Sequence, residues 1–159
     1  MKTIFLFGHR ECPTTVWEPV YEEAEKLIKE FPNEKMRFIV GHRGKFDYGA
    51  SLALDFLKRK YPQIINLTLI AYYDPHEPNK KYCYLDGFDG TYYPEGLELV
   101  PKPFAIVKAN NMMVDSCDAA ICYVRREGSN AYKLLRRARH RGIPVVNVDG
   151  RCRIYEKDL

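Results

Sequence analysis

The chain has 159 residues and a mass of 18.6 kDa, with 46% hydrophobic and 29% charged residues. That composition fits one ordinary globular domain and excludes disordered and collagen-like chains. Twenty-five Lys and Arg against 21 Asp and Glu leave a net charge of +4, too small an excess to mark a nucleic-acid binder by itself, although nine of those cations fall within residues 125–153.

No apolar run approaches the ~20 residues that span a bilayer, and the start MKTIFLFGHR lacks the layout of a secretory signal. A soluble, cytoplasmic protein with no membrane partner is expected. Five cysteines, Cys12, Cys83, Cys117, Cys122 and Cys152, include no CxxC pair, so they read as free thiols of a reducing compartment. His9, His42, Asp47 and Cys12 lack metal-ligand spacing; no metal and no cofactor are expected.

Residues 3–7 (Thr-Ile-Phe-Leu-Phe) form a run apolar on both faces, the pattern of a central parallel strand. A helix follows over 15–31, with Thr15 and Glu18 at capping-box spacing and Val16, Val20, Ala24, Leu27, Ile28 and Phe31 on one face. The plan then repeats. A strand at 36–40 leads to a helix over 48–61 that Asp47 can cap. A third strand is expected at 67–73. The stretch 74–100 is rich in turns and tyrosine, with a short strand near 91–93. A helix fits 103–116, a fourth main strand 119–124, and a helix 130–141 opened by Ser129 or Gly128 and closed by Gly142 as its C′ residue. The last core strand is 145–148, and 151–159 forms an edge strand or a tail. Alternation of short apolar strands with amphipathic helices predicts one α/β domain over 1–159, a Rossmann-like open, mostly parallel sheet with helices on both faces.

In such a sheet, ligands bind beyond the carboxyl ends of the strands, where the strand order reverses. Three expected strand ends carry unusual residues: Gly8-His9-Arg10, Gly41-His42-Arg43-Gly44, and Arg125-Arg126-Glu127-Gly128-Ser129-Asn130. Glycine allows close approach to backbone N–H groups, helix N-termini add donors and partial positive charge, and arginine adds bidentate contacts to phosphate or carboxylate. Together they point to a small anionic ligand. GxGxxG, GxxxxGK[ST] and GxSxG do not occur, which argues against dinucleotide dehydrogenases, P-loop NTPases and α/β-hydrolases.

Further residues extend the pattern: Asp47 with Gly49-Ala50, Tyr93-Pro94, Val100-Pro101, Phe104-Ala105-Ile106, Lys108, Asn110, Met113-Val114-Asp115, Asp118, Tyr123-Val124, Gly128-Ser129-Asn130-Ala131 and Ile143-Pro144-Val145. Taken together these resemble the SLOG superfamily, the Rossmann-like group around the DprA/Smf and LOG proteins, and look closest to its small single-domain, YpsA-like bacterial and phage branch. The resemblance implies a nucleotide or nucleotide-derived ligand at the carboxyl edge of the sheet, sensed or sequestered in a pocket of Gly8, Arg10, Gly41, Asp47, Asn110, Asp115, Gly128 and Ser129, to which the strand-end motifs themselves add His9, His42, Arg43, Glu127 and Asn130. It also implies a homo-oligomer, a dimer, a view that the tyrosines at 72, 73, 82, 84, 92 and 93 reinforce.

The enzymatic branch of that superfamily, which cleaves the N-glycosidic bond of nucleoside monophosphates, carries Pro-Gly-Gly-x-Gly-Thr-x-x-Glu. Here the stretch reads Arg126-Glu127-Gly128-Ser129-Asn130-Ala131-Tyr132-Lys133, with lysine near the position of the glutamate. Binding without catalysis is therefore the leading expectation. A phosphoribohydrolase-type hydrolase is the alternative, and a DprA-like nucleic-acid accessory protein using the Arg136-Arg137-Arg139-His140-Arg141 face is the third.

Overall fold

The computed structural model describes residues 1–72 and 85–153. Six strands, β1 (Lys2–Gly8), β2 (Met36–Val40), β3 (Ile65–Leu69), β4 (Gly90–Tyr92), β5 (Ala119–Tyr123) and β6 (Val145–Asn147), form one sheet in the order β4-β3-β2-β1-β5-β6. Every neighbouring pair is parallel. Four helices connect them: α1 (Trp17–Glu30), α2 (Lys45–Lys60), α3 (Lys102–Ser116) and α4 (Asn130–Arg141).

The alternation of side chains along each strand divides the core in two. Ile4 and Leu6 of β1, Phe38 and Val40 of β2 and Ile121 of β5 pack with Val20, Ala24, Ala53 and Leu57 beneath α1 and α2. Phe5, Phe7, Ile39, Ala120 and Cys122 face the other way, onto Ala109, Met113, Leu135 and Ala138 of α3 and α4. The expected architecture, a parallel Rossmann-like sheet covered on both faces, is the one observed.

Several boundaries differ for local reasons. A 3-10 turn over Thr14–Val16 precedes α1, whose N-cap Val16 offers no side-chain bond. Thr15 therefore does not form a capping box; its hydroxyl donates instead to the carbonyl of Arg153, and Glu18 pairs with Arg153 at 3.0 Å. Pro19 is tolerated because it lies in the first turn, where its missing N–H has no intrahelical acceptor. α2 starts at Lys45, ahead of the expected 48, with Gly44 as N-cap at φ +139°. The first free N–H of this helix, on Lys45, donates to the carbonyl of Arg10 at 2.8 Å. Ser129 does cap α4, accepting from the Tyr132 N–H at 3.1 Å, and Gly142 closes it at φ +80°.

The third strand stops at Leu69, short of the expected 73, and Tyr73, Tyr82, Tyr84 and Cys83, like the tail 154–159, lie outside the described residues. Where the chain is described again, a buried polar clamp holds it to α2 and β3. Asp55 Oδ1 accepts the Gly87 N–H at 2.7 Å, and Asn66 Nδ2 donates to the carbonyls of Leu54 and Gly87, each at 2.9 Å.

Gly8 ends β1 against Phe46 of α2. A methyl group there would stand 2.5 Å from Phe46 Cγ, and that ring is fully buried. Replacing Gly8 with Ala forces the ring to move within a packed core, an overpacking that costs about 1–3 kcal/mol. The expected result is a fall of that size in unfolding free energy by urea titration, with the slope unchanged.

Candidate functional site

The strand order runs outward from β1 to β2, β3 and β4 on one side and to β5 and β6 on the other. The carboxyl ends of β1 and β5 are thus where connections leave in opposite directions, the geometry that opens a crevice in this class of sheet. A cavity of about 300 Å³ occupies this place, at the lower end of the range for small-molecule sites.

Ten of the thirteen candidate residues line it: Gly8, His9 and Arg10 after β1; Gly41, His42, Arg43 and Asp47 after β2; Asn110 on α3; and Ser129 and Asn130 at the start of α4. Three do not. Asp115 lies in the last turn of α3 and is held by Arg137, with Nε–Oδ1 and Nη2–Oδ2 both at 2.7 Å; it joins α3 to α4. Glu127 and Gly128 are exposed in the loop leading to α4. Gly128 contributes indirectly, because its φ of +80° supplies the left-handed step before Ser129.

Two local networks consume donors that the sequence offered to a ligand. His9 is 5% exposed, and its Nε2 accepts the backbone N–H of Arg125 at 2.7 Å and of Arg126 at 3.2 Å. Its backbone N–H donates to the Tyr123 carbonyl at 3.2 Å. His9 therefore stitches β1 to the loop after β5. The Ser129 hydroxyl donates to the Arg126 carbonyl at 2.9 Å while accepting from Tyr132, so it has no proton left for a phosphate. The N–H groups of Asn130 and Ala131, in the first turn of α4, are the backbone donors with no intrahelical acceptor.

Charge in the cavity comes from Arg10, Arg43 and Arg126 against the single lining carboxylate of Asp47. Arg126 was not among the expected contacts. Arg125 looked equivalent in sequence, but it turns outward and stands 3.4 Å from Asp149. Arg43 lies over the Tyr72 ring at 5.4 Å. Much of the remaining lining is apolar: Phe5, Phe7, Leu69, Ala71, Ile106, Ala109 and Leu134. Those residues read in sequence as ordinary core.

Asp47 does not cap α2 as expected. It sits inside the first turn and reaches back, its Oδ2 accepting the Arg43 N–H at 2.8 Å. Gly41 gives it room, since a methyl there would stand 2.7 Å from Oδ2. Burial of the carboxylate outweighs the Arg43 N–H and the charges of Arg43 and Arg10, and pushes its pKa up to about 6. Burial and the nearby Arg126 hold the imidazole of His9 below its ordinary 6.5, against a smaller opposing effect of Asp149. Cys12, pushed up to about 12 mainly by burial, is not an activated thiol.

A raised carboxylate pKa favours the folded state at low pH. The contribution of Asp47 is complete below its ordinary 3.8 and is lost as pH rises through about 6. Asp47→Asn keeps an acceptor for Arg43 and removes the ionisation. The variant should therefore gain stability relative to the parent between pH 4 and pH 8, by on the order of 2 kcal/mol, measured by denaturant unfolding across that range.

No protein-family model and no curated protein matches the chain. A solved structure does: DNA processing protein A (DprA) from Streptococcus pneumoniae, with a TM-score of 0.53 and 19% sequence identity over 91% of this chain. This chain corresponds to about half, 49%, of that one. The likeness is one of fold, and it bears out the Rossmann-like α/β architecture that the sequence implied.

Proposed function

We propose that the protein binds a small anionic ligand of nucleotide type in the cavity at the carboxyl edge of the sheet, and senses or sequesters it rather than turning it over. The observation that carries this reading is the mixed lining of the cavity. Arg10, Arg43, Arg126 and the start of α4 line it together with apolar side chains of the sheet, α3 and α4. A phosphate suits the cations and free N–H groups, and a planar base suits the apolar side chains.

Among the lining residues Asp47 is the one carboxylate. Near the position where the enzymatic signature places its glutamate, this chain has Lys133. A single carboxylate leaves one of the two acid–base roles in glycosidic cleavage unfilled, which favours binding over hydrolysis. The small YpsA-like branch, and assembly as a dimer, go with this reading.

Isothermal titration with nucleoside monophosphates provides the test. Arg10→Ala combined with Arg43→Ala should weaken binding by about 100-fold, two charge-assisted contacts at 1.5 kcal/mol or slightly less each. Unchanged affinity would place the ligand elsewhere. Release of free base on prolonged incubation would establish the hydrolase instead.

A second reading, a nucleic-acid accessory role, is favoured by one specific feature. α3 and α4 carry seven Lys or Arg against the single carboxylate Asp115, an excess larger than the +4 of the whole chain. Among the described residues only Arg137 of these seven has a carboxylate partner. By contrast all six Lys and Arg of α1 and α2 are paired. The structural neighbour is named a DNA processing protein. On this reading single-stranded DNA is retained at 50 mM salt and released by 200 mM, and Arg136→Glu with Arg139→Glu abolishes retention. Retention unaffected by the double variant would remove the reading.

A further inference from the structure

His9 is the histidine that the binding reading leaves without a task, because its acceptor nitrogen faces backbone rather than the cavity's open space. Two N–H groups, of Arg125 and Arg126, converge on one lone pair. Only an imidazole with Nε2 unprotonated accepts them, so the ring proton resides on Nδ1. The bonds run from the end of β1 to the loop after β5 across the line where the strand order reverses, and that loop carries Arg126 and leads within a few residues to Ser129 and α4. Both Arg126 and Ser129 line the cavity.

We propose that His9 is a positioning residue, a proton-operated clasp whose neutral imidazole holds the Arg125–Ser129 loop against β1 and so sets the wall of the cavity from which Arg126 and α4 reach a bound anion. Protonation of Nε2 turns the acceptor into a donor facing two donors. It also places a positive charge beside Arg126. Both bonds are lost together, and the loop is freed from β1 while the strand ladder beneath it stays paired.

The surroundings of the ring decide the sign. Tyr123 of β5 meets it edge-on, with centroids 5.9 Å apart. Arg126 in the clasped loop opposes its protonation, and Asp149, beyond β6, favours it more weakly. Arg10 stands on its own loop. His42, Arg43 and Asp47 face the cavity from the β2–α2 connection. Asp47 titrates nearby, so acid alone does not identify the group responsible. Its protonation removes a negative charge near Arg10 and Arg43, which strengthens anion binding; release of the clasp weakens it.

The inference rests on the cavity as the ligand site for its functional meaning, but its test uses the ligand-free protein, so the two fail separately. Nuclear magnetic resonance of isotope-labelled protein between pH 5 and 8 reports the ring tautomer of His9 and the exchange of the Arg125 and Arg126 amides. At pH 8 the ring carries its proton on Nδ1. As pH falls through a midpoint below 6.5, protection of those two amides, corrected for intrinsic exchange, drops about tenfold per pH unit, while protection of Phe5 and Ile39 in the sheet is unchanged. His9→Gln, which offers an acceptor of similar reach that does not titrate, keeps the amides protected throughout. A proton on Nε2 at pH 8 overturns the proposal, as does amide protection that ignores the titration of His9. The same acid loosening in His9→Gln also overturns it, by assigning the effect to another group such as Asp47. The tautomer readout needs only the parent protein and stands whether or not the variant folds. With sulfate as an anion that does not titrate in this range, the ratio of affinity at pH 7.5 to that at pH 5.5 is larger for the parent than for His9→Gln. Equal ratios would deny the clasp any influence on the site.

Discussion

The reversal of strand order at β1 is the constraint from which the rest of this molecule follows. Parallel strands need long crossovers, and the helix that packs beside a strand covers one side of its carboxyl end. β1 sends its connection towards β2, whereas β5 sends its connection towards β6. The two strands are hydrogen-bonded neighbours from Ile4–Ala119 to Gly8–Tyr123, yet the chain leaves their ends in opposite directions. A gap results, floored by the sheet and walled by loops. The first wall depends on Gly8, whose missing side chain admits Phe46 and lets α2 close over the end of β1. The second depends on bonds between the loops themselves, from the Lys45 N–H to the Arg10 carbonyl and from the Arg125 and Arg126 N–H groups to the imidazole of His9.

On the binding reading proposed above, those bonds determine how an anion would be held. In a phosphate loop of the P-loop kind, successive backbone N–H groups point at the ligand. Here His9 and Ser129 satisfy the corresponding groups internally, as buried donors demand. What remains for a ligand is the first turn of α4 and long side chains anchored at the rim. Arg43 is supported by Tyr72, and Lys102 stacks on the same ring at 4.6 Å. A proposed site of this kind would rely on charge and reach more than on a rigid cradle, and so would accommodate anions of differing shape more readily than a glycine-rich loop does.

The fold was legible in the sequence because each strand declared itself on both faces. Residues 3–7, 36–40 and 119–124 have apolar side chains or short polar ones at nearly every position, and only a doubly covered parallel strand uses such a run. The helices were legible from their stripes, and α4 from its caps as well, since Ser129 and Gly142 act locally. The misplacements arise where tertiary contacts override local chemistry. Thr15 has the spacing of a capping box but spends its hydroxyl on Arg153. Asp47 has the identity of a cap but lies within the first turn, because α2 begins earlier, with Gly44 as N-cap, and the Asp47 carboxylate turns back to accept the Arg43 N–H. At the site, the strand-end motifs located the polar rim because position in the chain fixes position on the sheet edge. Sequence could not tell Arg125 from Arg126, since one step along a loop turns a side chain from solvent to cavity. Nor could it find Leu69, Ile106 and Leu134 as cavity-lining residues, because a core residue and a cavity-lining residue obey the same periodicity. Asp115 was misplaced for a related reason: its spacing from Asn110 exceeds one helical turn, which carries it past the cavity to Arg137.

The same helix explains why the positive charge of this chain does not by itself select a partner. α4 ends in Arg139, His140 and Arg141, where the helix dipole is negative and cations are favoured whatever the function. Arg141 goes further and donates to the carbonyls of Val114 and Cys117 at 2.8 and 2.7 Å, closing the end of α3. Part of the basic cluster is therefore structural. The other end of α4 turns its positive pole towards the cavity, where Arg10 and Arg126 add full charges. One helix thus joins a basic surface at its carboxyl end to an anion-sized recess at its amino end. The recess is bounded on several sides and backed by apolar side chains, which restricts what enters it to something small. The outer face of α3 and α4 imposes no such limit. Exposed Phe104 and Val107 accompany its cations, and a surface of that kind suits an extended anion as well as a compact one. Size, set by the gap at the strand reversal, separates the two readings where charge alone leaves them equal.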